Sequence, residues 1–282
     1  MKILGLDIGG TAVKYGLANN GKTTFGQFPV KGIDGNENVP KSICSFSKEH
    51  MPDIIAIAAP GPFDFETGTS LMTHKLLSMH NVSIRDELKN EIPYAKVIFM
   101  HDSTAFAVGV LCQKPELKEQ DVAVVMLGTG LGYSLLKKGK VLLNKQQTPL
   151  HPLWNRTFRD GISEDYVSTR RLIAEARKCG YDAQNVFDIA AAARNGDKIL
   201  RRILCDYGEN LGLCVLNARE TDAFSKIVIG GQISRSFDLI KDGFESVCNV
   251  KYDLVDNPDK CAIYGLIDCA YNGKEMYCIY GG

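Results

Sequence analysis

The chain has 282 residues, with 33 Lys and Arg balanced by 33 Asp and Glu, and nine cysteines. A net charge of zero without a basic block argues against nucleic acid as a partner. No apolar run is long enough to span a bilayer, which argues against a membrane location. A strand that starts within three residues of Met1 leaves no room for a signal peptide or an N-terminal DNA-binding segment. The odd, scattered cysteines contain no CxxC pair and read as reduced thiols filling the core of a cytoplasmic protein, with neither disulfides nor a zinc site. The length allows one large domain or two lobes.

The opening reads as three strands, ILGLDI, AVKYGLA and TTFGQFPV, with Asn20–Gly21 as a hairpin signal. Within it, Asp7 stands at a bend, followed by Gly9, Gly10, Thr11 and Lys14. Glycines lack the Cβ that would keep an anion from backbone N–H groups. A carboxylate beside such amides suits a metal ion held between acid and phosphate. The stretch reads equally well as an ordinary hairpin with a capping aspartate. Asn38–His50 follows as a helix with Ile43 and Phe46 on one face. The apolar strand Ile54–Ala59 is stopped by Pro60, Gly61 and Pro62 in APGPFDFETG. Val82–Glu91 is helical, and Ala95–Met100 is a buried strand delivering His101–Asp102 to a helix, STAFAVGVLCQ, capped by Asp102 or Ser103. An aspartate at a strand end facing a helix N-terminus stands where ligands bind in open α/β sheets. Taken alone it is also a plain N-cap. The alternation gives an α/β layer with a partly parallel sheet.

An internal echo follows. Laying Asn19–Lys22 over Lys137–Lys140 without gaps sets Gly10–Thr11 over Gly128–Thr129, Tyr15 over Tyr133 and Leu17 over Leu135, with Asp7 opposite Val125. Two related lobes, each with a phosphate-facing hairpin, would produce this pattern, and so would a chance match of short glycine-bearing hairpins. Leu142–Arg159 is polar and irregular, reading as a substrate flap or a packing excursion. Ser163 starts a helix running to Gly180. Val186–Arg194 and Asp197–Arg219 are helices, the latter with a core stripe. Lys226–Ile229 is a strand ending in Gly230–Gly231, where backbone could approach a phosphate or flat ligand. A helix over Gln232–Ser246 follows, and Ala262–Tyr271 is a last helix crossing back over the first lobe.

The order of these motifs (DIGGT hairpin, APGP turn, strand-borne aspartate, GTG hairpin, IVIGGQIS) resembles the actin-like sugar kinases, and among them the ROK group (repressors, open reading frames, kinases). The resemblance runs from Lys2 to about Tyr271 and includes NVFDIAAAARNGD at Asn185–Asp197. It implies a two-lobed actin-like, ribonuclease H-like ATPase fold with a nucleotide and sugar cleft between lobes. The lobes would be 1–115, with 262–282 packing back on it, and 116–261. It implies a cytoplasmic, ATP-dependent sugar kinase using Mg²⁺, acting on a small-molecule sugar, and forming a homodimer. Asp7, Gly9, Gly10, Thr11 and Lys14 match the first phosphate motif, with Asp7 on the Mg²⁺ side through water. Gly128, Thr129 and Gly130 match the second, and Gly230–Gly231 the adenosine motif. Asp102 matches the catalytic base, and Gly61, His101, Asp102, His151 and Glu164 fall at sugar-facing positions.

The chain also departs from the family pattern. His101 replaces the asparagine before the base, Lys75 the asparagine after the APGP turn, and TPLH the usual GEIGH, with Thr148 for the glutamate and His151 for the histidine. The zinc motif is absent, so His151 is either a sugar contact held by packing and hydrogen bonds or a histidine of a variable loop. Two other readings follow from these departures: a catalytically inactive or regulatory sugar-binding protein, and a kinase of a non-sugar alcohol.

Overall fold

The computed structural model describes residues 1–31 and 36–281. Apolar runs broken at turn residues make an antiparallel meander of β1 (Ile3–Ile8), β2 (Ala12–Asn19) and β3 (Lys22–Pro29). Asn20 and Gly21 both take the positive φ that a two-residue hairpin of this hand requires. α1 (Val39–His50) is capped by Asn38, whose side chain accepts the Lys41 N–H at 3.2 Å. The apolar β4 (Ile54–Ala59) precedes a small hairpin of β5 (Phe63–Asp64) and β6 (Thr69–Ser70), then α2 (Ile84–Glu91) and β7 (Lys96–His101). α3 (Asp102–Gln113) begins directly where β7 ends.

β8 (Asp121–Leu127) and β9 (Leu131–Lys137) form a second antiparallel hairpin, followed by β10 (Lys140–Leu143). A two-strand ribbon, β11 (Thr157–Phe158) with β12 (Gly161–Ile162), leads to α4 (Ser163–Tyr166), α5 (Thr169–Lys178), α6 (Val186–Arg194) and α7 (Lys198–Arg219). β13 (Lys226–Gly230) pairs parallel with β8, and after α8 (Phe237–Val247), β14 (Tyr252–Leu254) pairs parallel with β13. α9 (Cys261–Asn272) and β15 (Cys278–Tyr280) follow, β15 lying parallel to β10.

The chain divides into two compact units, one of Met1–Lys118, Gly139–Leu150 and Lys260–Gly282, the other of Glu119–Lys138 and His151–Asp259. In the first, the sheet order is β3-β2-β1-β4-β7, with β1, β4 and β7 parallel over a core of Leu4, Leu6, Ile55, Ile57, Ile84 and Phe99. In the second, β9-β8-β13-β14 repeats the antiparallel, parallel, parallel order of β2-β1-β4-β7. The sequence echo is therefore a repeat of topology.

On the first sheet α3 and α9 cross so closely that neither can carry a side chain at the crossing. A Cβ on Gly109 would stand 1.7 Å from the Cys261 carbonyl oxygen, and one on Gly265 would stand 2.0 Å from that of Ala105. Backbone meeting backbone at this range buries two helices against each other without gaps.

Four expectations are corrected. The cap of α3 is His101, whose Nδ1 accepts the Ser103 N–H at 3.2 Å, with Asp102 already inside the helix. The single helix from Ser163 is two, α4 and α5, because the Ser168 hydroxyl accepts the Arg171 N–H at 3.4 Å and starts a new helix. The segment after Gly231 is a 3-10 turn, Gln232–Ser236, before α8, since Gly231 leaves the strand at a positive φ. The tail past α9 ends in strand β15.

Candidate active site

In the first unit the parallel register lines up three strand ends. Asp7 of β1 pairs with Ala58 of β4, and Ala59 with His101 of β7, so Asp7, the turn Pro60–Gly61 and His101–Asp102 share one edge of the sheet. The end of β1 closes in a tight turn, the Gly9 N–H donating to the Ala12 carbonyl at 3.1 Å. Around the Cβ position of Gly10 there is no atom within 4 Å. Packing therefore gives no reason for glycine at this position, whereas close approach of a ligand to the backbone does. Lys14 on β2 is the cross-strand partner of Asp7. The Cβ position of Gly61 lies 3.6 Å from His101 Nε2.

The two carboxylates at this edge are shifted in opposite directions. Burial pushes Asp7 up to about 6, with the Asp102 charge adding to the rise and Lys14 opposing it. Burial also pushes Asp102 up, but its neighbours outweigh that and hold it below the usual carboxylate range. His101 Nδ1 is 2.9 Å from Asp102 Oδ1, and the Ser103 N–H donates to the same oxygen at 2.6 Å. A buried anion beside a second carboxylate suits a divalent cation, which would relieve both desolvation and repulsion. Among the described residues no group of three or more His, Cys, Asp and Glu gathers in metal-binding geometry. A Mg²⁺ here would be held by Asp7 through water and would take its ligands from phosphate and water, as this ion commonly does.

In the second unit Gly128, Thr129 and Gly130 turn the chain from β8 into β9. The Gly128 N–H donates to the Gly130 carbonyl at 3.1 Å, and Thr169 fixes the Gly128 carbonyl through its N–H and its hydroxyl. Gly128, like Gly10, has open space at its Cβ position. Gly130 does not: a Cβ there would lie 2.3 Å from Glu164 Oε2, the atom that accepts the Leu131 N–H at 3.0 Å. Glu164 is thus tied to the glycine turn. Gly230 ends β13 beside Met126 of β8, and Gly231 has a positive φ with Leu127 backbone 2.3 Å from its would-be Cβ. Strand-end geometry alone accounts for glycine at 231.

His151 also lies in the second unit, its Nδ1 2.5 Å from Asp222 Oδ1. Thr148 lies in the first unit with its hydroxyl accepting from the Asn144 amide at 2.8 Å, and Lys75 is exposed. Sequence reasoning missed Tyr133, Arg156 and Asp222 as a group. Only Tyr133 gave a signal, as the echo of Tyr15, and nothing in ARETDAF marks Asp222 as buried.

Parallel strand ends carrying acids and glycine turns, on a topology that occurs twice, define an α/β protein of the actin-like ATPase fold. The sequence profile of the ROK family matches residues 3–146, and the chain belongs to that family. Comparison with curated protein sequences finds no match. Among solved structures, the chain is similar to a ROK family glucokinase from Streptomyces griseus in complex with glucose and AMPPNP, at 20% identity over 97% of this chain and 100% of that one, with a TM-score of 0.79. A putative sugar kinase from Cytophaga hutchinsonii is 21% identical over 96% and 100%, with a TM-score of 0.74. A ROK family transcriptional regulator, a homolog of the E. coli MLC protein, is 16% identical over 98% of this chain and 80% of that one, with a TM-score of 0.78. At these identities the likeness establishes the fold. No helix among the described residues is long and apolar enough to cross a membrane.

Proposed function

We propose that the protein is an ATP-dependent kinase that phosphorylates a hydroxyl of a hexose or related sugar, with Asp102 as general base. The observation that carries this is a carboxylate held as an anion at the end of β7, on the sheet edge that bears Asp7 and the Gly9–Thr11 turn. Such an anion accepts the proton of a hydroxyl within hydrogen-bond reach. Phosphoryl transfer has a loose transition state, so the attacking hydroxyl becomes acidic only as its oxygen bonds phosphorus and the bond to the leaving ADP breaks. A base of low pKa, ionised across the physiological range, is adequate for that late proton transfer. His101 and the Ser103 N–H keep one carboxylate oxygen engaged, which orients the other. Bound Mg²⁺ would supply neutralisation of phosphate charge, with Asp7 holding it through water. We assign Gly9, Gly10, Thr11 and Lys14 of the first unit, and Gly128, Thr129, Gly130, Gly230 and Gly231 of the second, to the nucleotide. Gly61, His101, His151 and Glu164 are assigned to the sugar.

A second reading, a sugar-binding regulator without turnover, draws on the pairing of His101 with the proposed base and on the fold shared with a transcriptional regulator. A coupled ADP-release assay over hexoses, N-acetylhexosamines and polyols separates the readings. The kinase reading expects sugar-dependent ADP release, lost in Asp102→Asn by a factor of about 10² to 10⁴, as removal of a general base entails. Release from a polyol alone would move the substrate to a non-sugar alcohol. Sugar binding without nucleotide binding would establish the regulator.

A further inference from the structure

Among the described residues Asp222 is the charged residue most withdrawn from water, at 2% exposure. It lies just beyond α7, its N–H donating to the Ala218 carbonyl at 3.0 Å. Three donors converge on its carboxylate. The Tyr133 hydroxyl donates to Oδ2 at 2.7 Å, Arg156 Nη2 donates to Oδ2 at 3.2 Å, and His151 Nδ1 approaches Oδ1 at 2.5 Å. Arg156 is itself fixed, through Nη1 to Thr221 Oγ1 at 2.9 Å and through Nε to the Pro152 carbonyl at 3.2 Å. Burial, and then Asp222 as acceptor and neighbouring charge, push the Tyr133 phenol far up, so it remains a donor.

This arrangement settles which nitrogen of His151 carries hydrogen. A carboxylate paired with a guanidinium only accepts, so Nδ1 must donate. Arg156 already balances the charge of Asp222, so the site does not require an imidazolium. The neutral ring with hydrogen on Nδ1 leaves a lone pair on Nε2. Nε2 finds no hydrogen-bond partner among the described residues, and the side chain is 40% exposed beside a carboxylate that is 0% exposed. A buried acid orienting a solvent-facing imidazole is costly to build for structure alone, because the acid must be desolvated.

We propose that Asp222 is a positioning residue that holds His151 as its neutral Nδ1–H tautomer, so that Nε2 accepts a hydrogen bond from a hydroxyl of the sugar. The role in sugar binding rests on the kinase reading above, whereas the tautomer does not. An acceptor nitrogen selects a ligand that brings hydrogen. At the hydroxyl it reads, a deoxy or O-methyl sugar leaves the lone pair unmatched and binds more weakly, by about tenfold or more.

The test is ¹⁵N NMR of the imidazoles in the full-length chain, with the His151 signals identified by their loss in His151→Gln. In wild type at about pH 8, Nδ1 is expected to be protonated and Nε2 to carry the lone pair. A dominant Nε2–H form overturns the proposal. Titration with D-glucose, N-acetyl-D-mannosamine and glycerol is expected to shift the Nε2 resonance with at least one of them, and no shift with any overturns it. In Asp222→Asn, the tautomer is expected to move toward Nε2–H. The KM for the sugar that supports ADP release should then rise about tenfold or more, with kcat and the KM for ATP within about threefold of wild type. An unchanged sugar KM with the tautomer altered overturns the role. If Asp222→Asn does not fold, the two wild-type measurements decide by themselves. If no sugar supports ADP release, the kinase reading fails while the tautomer and the titration still judge this one.

Discussion

Replacing Asp7 by asparagine should make the ligand-free protein more stable, and increasingly so as the pH rises. In the folded chain burial and the Asp102 charge lift Asp7 from 3.8 to about 6. The unfolded chain therefore gives up this proton near pH 4 and the folded chain only near pH 6, so the folded state binds the proton more tightly. Stability linked to this group is lost as pH climbs through that window, and the full penalty applies above it. The rise from 3.8 to about 6 corresponds to about 3 kcal/mol at pH 8, at about 1.36 kcal/mol for each tenfold change in proton affinity, and the same relation leaves about half of that at pH 5. Asparagine has nearly the same shape and no charge to desolvate, so it removes the penalty. Urea unfolding in EDTA, at pH 5 and pH 8, should show Asp7→Asn stabilised at both, with a gap that widens by about 1 to 1.5 kcal/mol between them. A gap that stays flat or narrows as pH rises would refute the account of Asp7 as a destabilised anion. The same variant should bind Mg²⁺-nucleotide poorly, because it lacks the carboxylate proposed to hold the metal; stability given up at a working site is a common exchange.

Three further outcomes are expected. Asp102→Asn removes a negative neighbour, so Asp7 should titrate below its wild-type value of about 6, read by ¹³C NMR of the carboxyl groups in EDTA; an upward movement would contradict the coupling. Tyr133→Phe removes one of three donors to buried Asp222 and should cost about 1 to 3 kcal/mol in urea unfolding. Gly109→Ala sets a methyl 1.7 Å from the Cys261 carbonyl and should prevent α3 and α9 from seating, giving insoluble or proteolytically labile protein; a wild-type unfolding curve would show that the crossing can relax.

Much of the first unit was legible because its signals are local. Alternating apolar residues, the Asn20–Gly21 turn and the Pro60–Gly61–Pro62 stop each act over a few residues, and the ends of β1, β4 and β7 follow from parallel pairing once those strands are placed. The same holds for β8, its glycine turn and β13. What sequence could not give depends on contacts between distant positions. Ser168 splits a helix whose apolar spacing runs straight through it, because a hydroxyl competing for an N–H leaves no mark on periodicity. The tail strand β15 depends on β10, more than a hundred residues earlier, as its partner. At the candidate site, Asp7 and Asp102 could be named from strand ends, but their opposite shifts could not, since these come from burial and from the neighbours that folding supplies. Asp222 was unreadable for the same reason: its three donors come from positions 133, 151 and 156.

The close crossing of α3 and α9 also bears on how the protein is made. Asp102 is the first residue of α3, and the helix that locks α3 in place begins only at Cys261. During translation the segments of the second unit, Glu119–Lys138 and His151–Asp259, leave the ribosome before α9 exists, so that unit can fold while the first still waits for its closing helix. The nascent chain therefore carries its aspartate on an unclamped helix for most of synthesis, and the sheet edge bearing Asp7 and Asp102 is completed late, when Cys261–Asn272 emerges and docks.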